Sequence, residues 1–181
     1  VGREKLGIVG ESGSGKSMTG RAVLRLVPPP GEVSADRIEF DGTDLSTASE
    51  RTMRGIRGRR ISMVMQDPKF SLNPVMTVGR QIAEVFETHG VASGADARRR
   101  VVDLLRRVGI PDPENRVDQY PHQFSGGQRQ RVMIAMAIAL QPSVIIADEP
   151  TTALDVSVQA QILDLLRDLQ AEYGMALILI T

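Results

Sequence analysis

Two rhythms of apolar residues alternate along the chain: short unbroken runs, and longer stretches in which apolar positions recur every three or four residues. The unbroken runs at residues 6–9, 61–65, 144–147 and 176–180 predict strands, and a shorter one at 38–40 enters an Asp41-Gly42 turn. The run at 144–147 is bounded by Pro142 and by Asp148-Glu149-Pro150, the pattern of a central parallel strand covered on both faces. Helical spacing at Val23, Leu24 and Val27 predicts a helix over residues 16–27, which Pro28-Pro29-Pro30-Gly31 ends because proline has no amide hydrogen to donate.

Between the strands at 61–65 and 144–147 no convincing strand is found. Ile82, Val85 and Phe86, then Val101, Leu104, Leu105 and Val108, follow helical spacing, with Pro111 and Pro113 breaking it, so this stretch reads as an inserted helical subdomain. Val158, Ile162, Leu165, Leu166 and Leu169 form a further helical stripe between the last two strands. Strand, helix, strand in that order points to an α/β core with a mainly parallel sheet. The expected division is a first core part at residues 1–75, helices at 76–140 and a second core part at 141–181.

Composition narrows this little. At 41% hydrophobic and 24% charged the chain reads as folded, and its length suits one domain with a small insertion. Twenty-two basic residues balance twenty-two acidic ones, which argues against a protein built to coat nucleic acid. The absence of cysteine excludes disulfides, thiolate metal sites and cysteine nucleophiles, and fits a cytosolic setting. The most apolar stretch, 132–147, is interrupted by Gln141 and Pro142 and falls short of the roughly 18 residues a spanning helix needs. The opening Val1-Gly2-Arg3-Glu4-Lys5 leads into no signal-type apolar stretch, and the last strand stops abruptly, so both ends read as cuts.

Between the first strand and the first helix stands Gly10-Glu11-Ser12-Gly13-Ser14-Gly15-Lys16-Ser17, the phosphate-loop pattern of glycine, four residues, glycine, lysine, serine. Glycines let backbone amides turn inward around phosphate oxygens, and the helix N-terminus adds partial positive charge. Lys16 is placed to reach the β- and γ-phosphates and Ser17 to ligate Mg²⁺. Asp148, at the end of the apolar run, is placed as a second Mg²⁺ ligand, and Glu149 can orient or deprotonate the attacking water. Taken alone, two acids after an apolar strand are more often a loop; it is the phosphate loop that gives them meaning.

Phe124-Ser125-Gly126-Gly127-Gln128 precedes an apolar helix at 132–140. Its glycines expose amides at a helix start, a second phosphate-binding terminus, although a helix-capping turn explains Ser-Gly-Gly equally well. This segment resembles the signature motif of the ABC ATPases, usually written with leucine first. Gln66 after a strand resembles their Q-loop glutamine, and Thr152-Ala153-Leu154-Asp155 resembles their D-loop, with threonine in place of the common serine.

The resemblance implies a P-loop NTPase core of the ABC type with a helical insertion, and ATP hydrolysis with Mg²⁺. It implies that Lys16, Gln66 and Glu149 serve catalysis and that Ser17, Gln66 and Asp148 hold the metal. It also implies that two ATP molecules are sandwiched between the first loop of one subunit and Ser125, Gly126, Gly127, Gln128 and Asp155 of another, so that a homo- or heterodimer is the working unit.

Met65-Gln66-Asp67-Pro68, the stretch 71–78, Tyr120-Pro121-His122-Gln123-Phe124 and Asp155-Val156-Ser157-Val158-Gln159-Ala160-Gln161 are similar to the bacterial dipeptide and oligopeptide permease ATPases. That implies a subunit on the cytoplasmic face of the membrane, joined to two transmembrane permease subunits and served indirectly by an extracytoplasmic peptide-binding protein. Nickel or other small-solute importers, and soluble ABC ATPases without transport, remain alternatives. The family's adenine-stacking aromatic normally lies upstream of the first loop and its switch histidine just after residue 181, so hydrolysis by this stretch alone is doubtful. His89 and His122 read as partly solvated residues of the helical subdomain. The arginines at 51, 54, 57, 59 and 60 and at 98–100 lack interleaved aromatics and read as solvated faces rather than a nucleic-acid surface.

Overall fold

The computed structural model describes residues 4–67, 71–152 and 154–181. In chain order its strands are β1 (Lys5–Ile8), β2 (Glu39–Phe40), β3 (Thr43–Asp44), β4 (Ile61–Val64), β5 (Val144–Asp148) and β6 (Ala176–Ile180). Its α-helices are α1 (Lys16–Val23), α2 (Glu50–Ile56), α3 (Val78–Thr88), α4 (Gly94–Arg107), α5 (Pro113–Arg116), α6 (Gly126–Ile138) and α7 (Val156–Tyr173).

β1, β6, β5 and β4 form one parallel sheet in that order. β5 is central, and all five of its residues are buried, which accounts for its unbroken apolar run. β1 is the sheet edge and largely exposed; it covers residues 5–8, one earlier than the pattern predicted, and Val9 already belongs to the loop. β2 and β3 make a hairpin whose turn residues Asp41 and Gly42 both have positive φ, as a two-residue turn of this hand requires.

The period of two along the strands divides the protein into two apolar layers. Val144, Ile146 and Ile180 face one core with Leu24, Met53 and Ile56, beneath α1 and α2. Ile145, Ala147 and Val64 face the other, beneath α3, α4, α6 and α7, where Ile82, Leu105, Ile134 and Ile162 are fully buried. The helices of residues 76–140 therefore share a continuous core with the sheet. A close approach pins them: Gly79 in α3 donates its N–H to Val117 O at 2.8 Å, and a Cβ there would lie 2.5 Å from that oxygen.

Two local features depart from the sequence pattern. α1 ends at Val23, not at residue 27: Arg25 turns left-handed at φ 52°, with Arg25 N donating to Ala22 O and Leu26 N to Arg21 O, a Schellman stop. The other is α2, which the apolar spacing does not predict: Ser49 caps it by accepting from Thr52 N, and buried Met53 and Ile56 stand at helical spacing.

Candidate nucleotide site

The loop between β1 and α1 owes its shape to backbone hand. Gly13 and Gly15 have φ of 82° and 90°, conformations that cost any other residue strain, while a Cβ at either would meet nothing within 4 Å. Lys16 closes the loop on itself, its Nζ donating to Gly10 O at 2.7 Å and Glu11 O at 2.9 Å. Residues 11–15, including the Ser12 and Ser14 hydroxyls, stand exposed around it.

Strand alternation puts Asp148 on the same face of β5 as Ile146, the face that α1 covers. There Ser17 Oγ donates to Asp148 Oδ1 at 2.7 Å. Asp148 is fully buried, and its Oδ2 has no hydrogen-bond partner. A buried carboxylate oxygen without a partner is costly unless a cation answers it. The hydroxyl and carboxylate present hard oxygens suited to Mg²⁺, which characteristically takes one or two protein ligands and completes its shell with phosphates and water. Among the described residues no cluster of three or more acidic, histidine or cysteine side chains is found that could hold a metal ion.

One residue on, Glu149 has φ 43° and donates its N–H to Ile180 O at 3.0 Å, which turns its side chain out of the strand. Its Oε2 accepts from Gln66 Nε2 at 2.6 Å and from Thr152 Oγ1 at 2.8 Å. Gln66 thus spends its amide nitrogen on Glu149, and its Oε1 is the atom that could hold a metal. Lys16, Ser17, Gln66, Asp148 and Glu149, spread over three segments of sequence, come together around the ends of β4, β5 and β6.

Ser125–Gln128 is not part of that group. It heads α6, which packs on β4 and lies on the opposite face of the sheet from α1. Ser125 Oγ accepts from Gln128 N at 3.3 Å and Gln128 Oε1 from Ser125 N at 3.1 Å, a reciprocal helix cap that occupies both side chains. Gly127 lets α7 approach: a Cβ there would lie 2.6 Å from Val158 Cγ1. Phe124, where leucine is usual, is buried with the Arg116 guanidinium 5.6 Å from its ring centre. Asp155 is exposed at the N-cap of α7 and makes no side-chain cap bond.

Pro68 of the Q-loop stretch and Ala153 of the D-loop stretch lie outside the described residues. Gln159, which the sequence did not single out, donates from Nε2 to Thr151 O at 3.3 Å and Leu154 O at 3.0 Å, stitching the D-loop to α7. His122 is exposed and stacked on Tyr120, and His89 is half-buried at the end of α3. Six of the clustered arginines are engaged in ion pairs: Arg54 and the partly buried Arg57 with Glu50, Arg60 with Asp41, Arg98 with Asp118, and Arg99 and Arg100 with Asp96. A cleft of about 490 Å³ opens between β4, α3 and α6, lined in part by Met63, Met65, Gln81, Met133 and Met136, and reaches the residue before Gln66.

Residues 2–152 match the family described as ABC transporter. The chain is 56% identical over 98% of its length to the oligopeptide transport ATP-binding protein OppD of Bacillus subtilis, of which it covers 50%. It is 55% identical over 98% of its length to the dipeptide transport ATP-binding protein DppD of Escherichia coli, of which it covers 54%. The chain thus spans about half the length of these curated relatives. Among solved structures, the dimeric post-hydrolysis state of the ATP-binding cassette MJ0796 bound to ADP and Pi superposes with a TM-score of 0.82 at 31% identity, over 100% of this chain and 75% of that one. No helix among the described residues is long and apolar enough to cross a membrane.

Proposed function

The chain belongs to the ABC transporter family, and on that premise we propose that it is the ATP-binding and hydrolysing part of a subunit that drives import of dipeptides or oligopeptides. The observation that carries the nucleotide reading is the Ser17–Asp148 contact with its buried, unanswered Oδ2, set directly beside the Gln66–Glu149 pair. The peptide reading is supported by the names of relatives more than half identical over nearly the whole chain.

In this reading the backbone amides of residues 10–15, the N-terminus of α1 and Lys16 receive the phosphates, and Lys16 gives up Gly10 O and Glu11 O to do so. Ser17, Asp148 and Gln66 Oε1 would hold Mg²⁺, which when bound neutralises phosphate charge. Glu149 takes the proton of the attacking water. Ser125–Gln128, on the far face of the sheet from Lys16, serves the nucleotide of a second cassette with Asp155, so the competent unit is a homo- or heterodimer. The methionine-lined cleft beside Gln66 receives a segment of one of two transmembrane permease subunits. An extracytoplasmic peptide-binding protein delivers the peptide, and the subunit works at the cytoplasmic face of the membrane.

The test is Glu149→Gln in the intact protein with its membrane partners. ATP binding should persist, turnover should fall by about a hundredfold or more, and a dimer should accumulate with ATP. Unchanged turnover removes Glu149 from the role of base. Co-purification of two polytopic membrane proteins is expected; recovery of ribosomes or nucleic acid alone would overturn the transport reading.

A further inference from the structure

Glu149 is held more tightly than a lone base on a loop needs to be. Its backbone N–H is fixed to β6 through Ile180 O, and Thr152 grips it twice, by Thr152 N to Glu149 O at 3.1 Å and by Thr152 Oγ1 to Glu149 Oε2 at 2.8 Å. Thr152 is fixed in turn. The carbonyls on either side of it, Thr151 O and Leu154 O, both accept from Gln159 Nε2, which projects from the first turn of α7. Gln66 Nε2 meets the same Oε2 from the opposite segment at 2.6 Å.

We propose that Thr152, braced by Gln159, is a positioning residue that determines which oxygen of Glu149 acts as the base. This rests on Glu149 being the base. With two donors on Oε2, the lone pairs of that atom are engaged and the carboxylate cannot rotate without breaking a bond, so Oε1 is presented. In the step itself an O–H bond of water breaks and its proton goes to Oε1. The water oxygen bonds to the γ-phosphorus, and the bond from that phosphorus to the bridging oxygen breaks, its electron pair leaving on ADP. A carboxylate held in one rotation spends more of its time aligned for that transfer, an effect on turnover rather than on binding of ATP.

The experiment is steady-state ATP hydrolysis by the intact protein with its membrane partners. Thr152→Val keeps the shape and removes the donor; it is expected to lower kcat about tenfold with KM for ATP within about twofold. Thr152→Ser keeps the donor and is expected to stay within about twofold of wild type. Adding Thr152→Val to Glu149→Gln should change nothing further, because the group being positioned is gone. Gln159→Glu, which removes the amide donor from outside the loop, should reproduce a loss of kcat without a change in KM and serves if Thr152→Val does not fold. The proposal is overturned if Thr152→Val or Gln159→Glu retains more than half of the wild-type kcat, if the loss is carried by KM, or if Thr152→Ser is as slow as Thr152→Val. Wild-type turnover and its loss in Glu149→Gln are read in the same assay. If both stand while Thr152→Val is silent, only the role of Thr152 falls; if Glu149→Gln turns over normally, the reading of the base falls with it.

Discussion

Ser17 and Asp148 lie 131 positions apart in sequence and 2.7 Å apart in space, and the carboxylate oxygen that Ser17 leaves alone is buried without a partner. The contact joins the first turn of α1 to the end of the central strand, on the face that the strand's alternation assigns to both. Such an oxygen is costly unless a cation answers it, which is the reason for proposing Asp148 as a metal ligand.

Asp148→Asn should separate binding from folding. The nucleotide-free variant is expected to melt no lower than wild type, since a neutral amide is cheaper to bury than an unanswered carboxylate oxygen. Wild type should gain about 2.7 kcal/mol from Mg-ATP at a hundredfold excess over Kd, and the variant should gain almost nothing. Thermal melts with and without Mg-ATP check both halves.

Gly15→Ala tests the hand of the phosphate loop. At φ 90° with open space around the missing Cβ, the cost is purely conformational, about 1–2 kcal/mol in urea unfolding. Relief of that strain moves the loop amides, so ATP affinity should fall more than the stability does, by about tenfold or more in a titration with a fluorescent nucleotide.

Gly127→Ala should cost about 1–3 kcal/mol, because its methyl would overlap Val158 Cγ1 at 2.6 Å. Val158→Ala opens that space from the other helix, so the double variant should be more stable than the sum of the two single losses. Strict additivity in urea titrations would show that α6 and α7 are not in this contact.

The fork between Arg98 and Asp118, with bonds of 2.7 and 2.6 Å, holds the Asp118 carboxyl below the usual carboxylate range, chiefly through the hydrogen bonds from the guanidinium. A carboxylate whose folded pKa is depressed adds stability above its unfolded pKa and loses it as pH falls through the folded value. Both groups are solvent-exposed, so Asp118→Asn should cost no more than about 0.5 kcal/mol near neutrality. The difference from wild type should shrink towards zero as pH is lowered through the acid range, read from urea midpoints at a series of pH values.

Several features were legible before any fold was known because they are local. The phosphate loop is a run of eight residues whose glycines and lysine have roles in their own spacing, and β5 declares its burial by having no polar residue before Asp148. The helices from residue 76 to 140 follow from three- and four-residue spacing. What failed locally failed for a local reason: the stop at Arg25 is a backbone turn that its side chain does not advertise, and α2 is too short for its two buried residues to stand out as a stripe.

Thr152 stood in the sequence only as a variant of a motif, and Gln159 as one glutamine among several. Nothing in their order says that one grips Glu149 and the other grips the loop around it, because both acts depend on where α7 returns against the end of β5. Residue type and spacing therefore determined the groups on offer: a glycine-rich loop of amides before a helix, a hydroxyl and a carboxylate with hard oxygens, a second carboxylate beside it and a second capped helix. Tertiary structure alone decided the grouping. Because the strands are parallel, β1, β4 and β5 end at one rim, which gathers Lys16, Ser17, Gln66, Asp148 and Glu149 there, while alternation along β5 gives α1 one face and α6 the other and so leaves Ser125–Gln128 across the sheet.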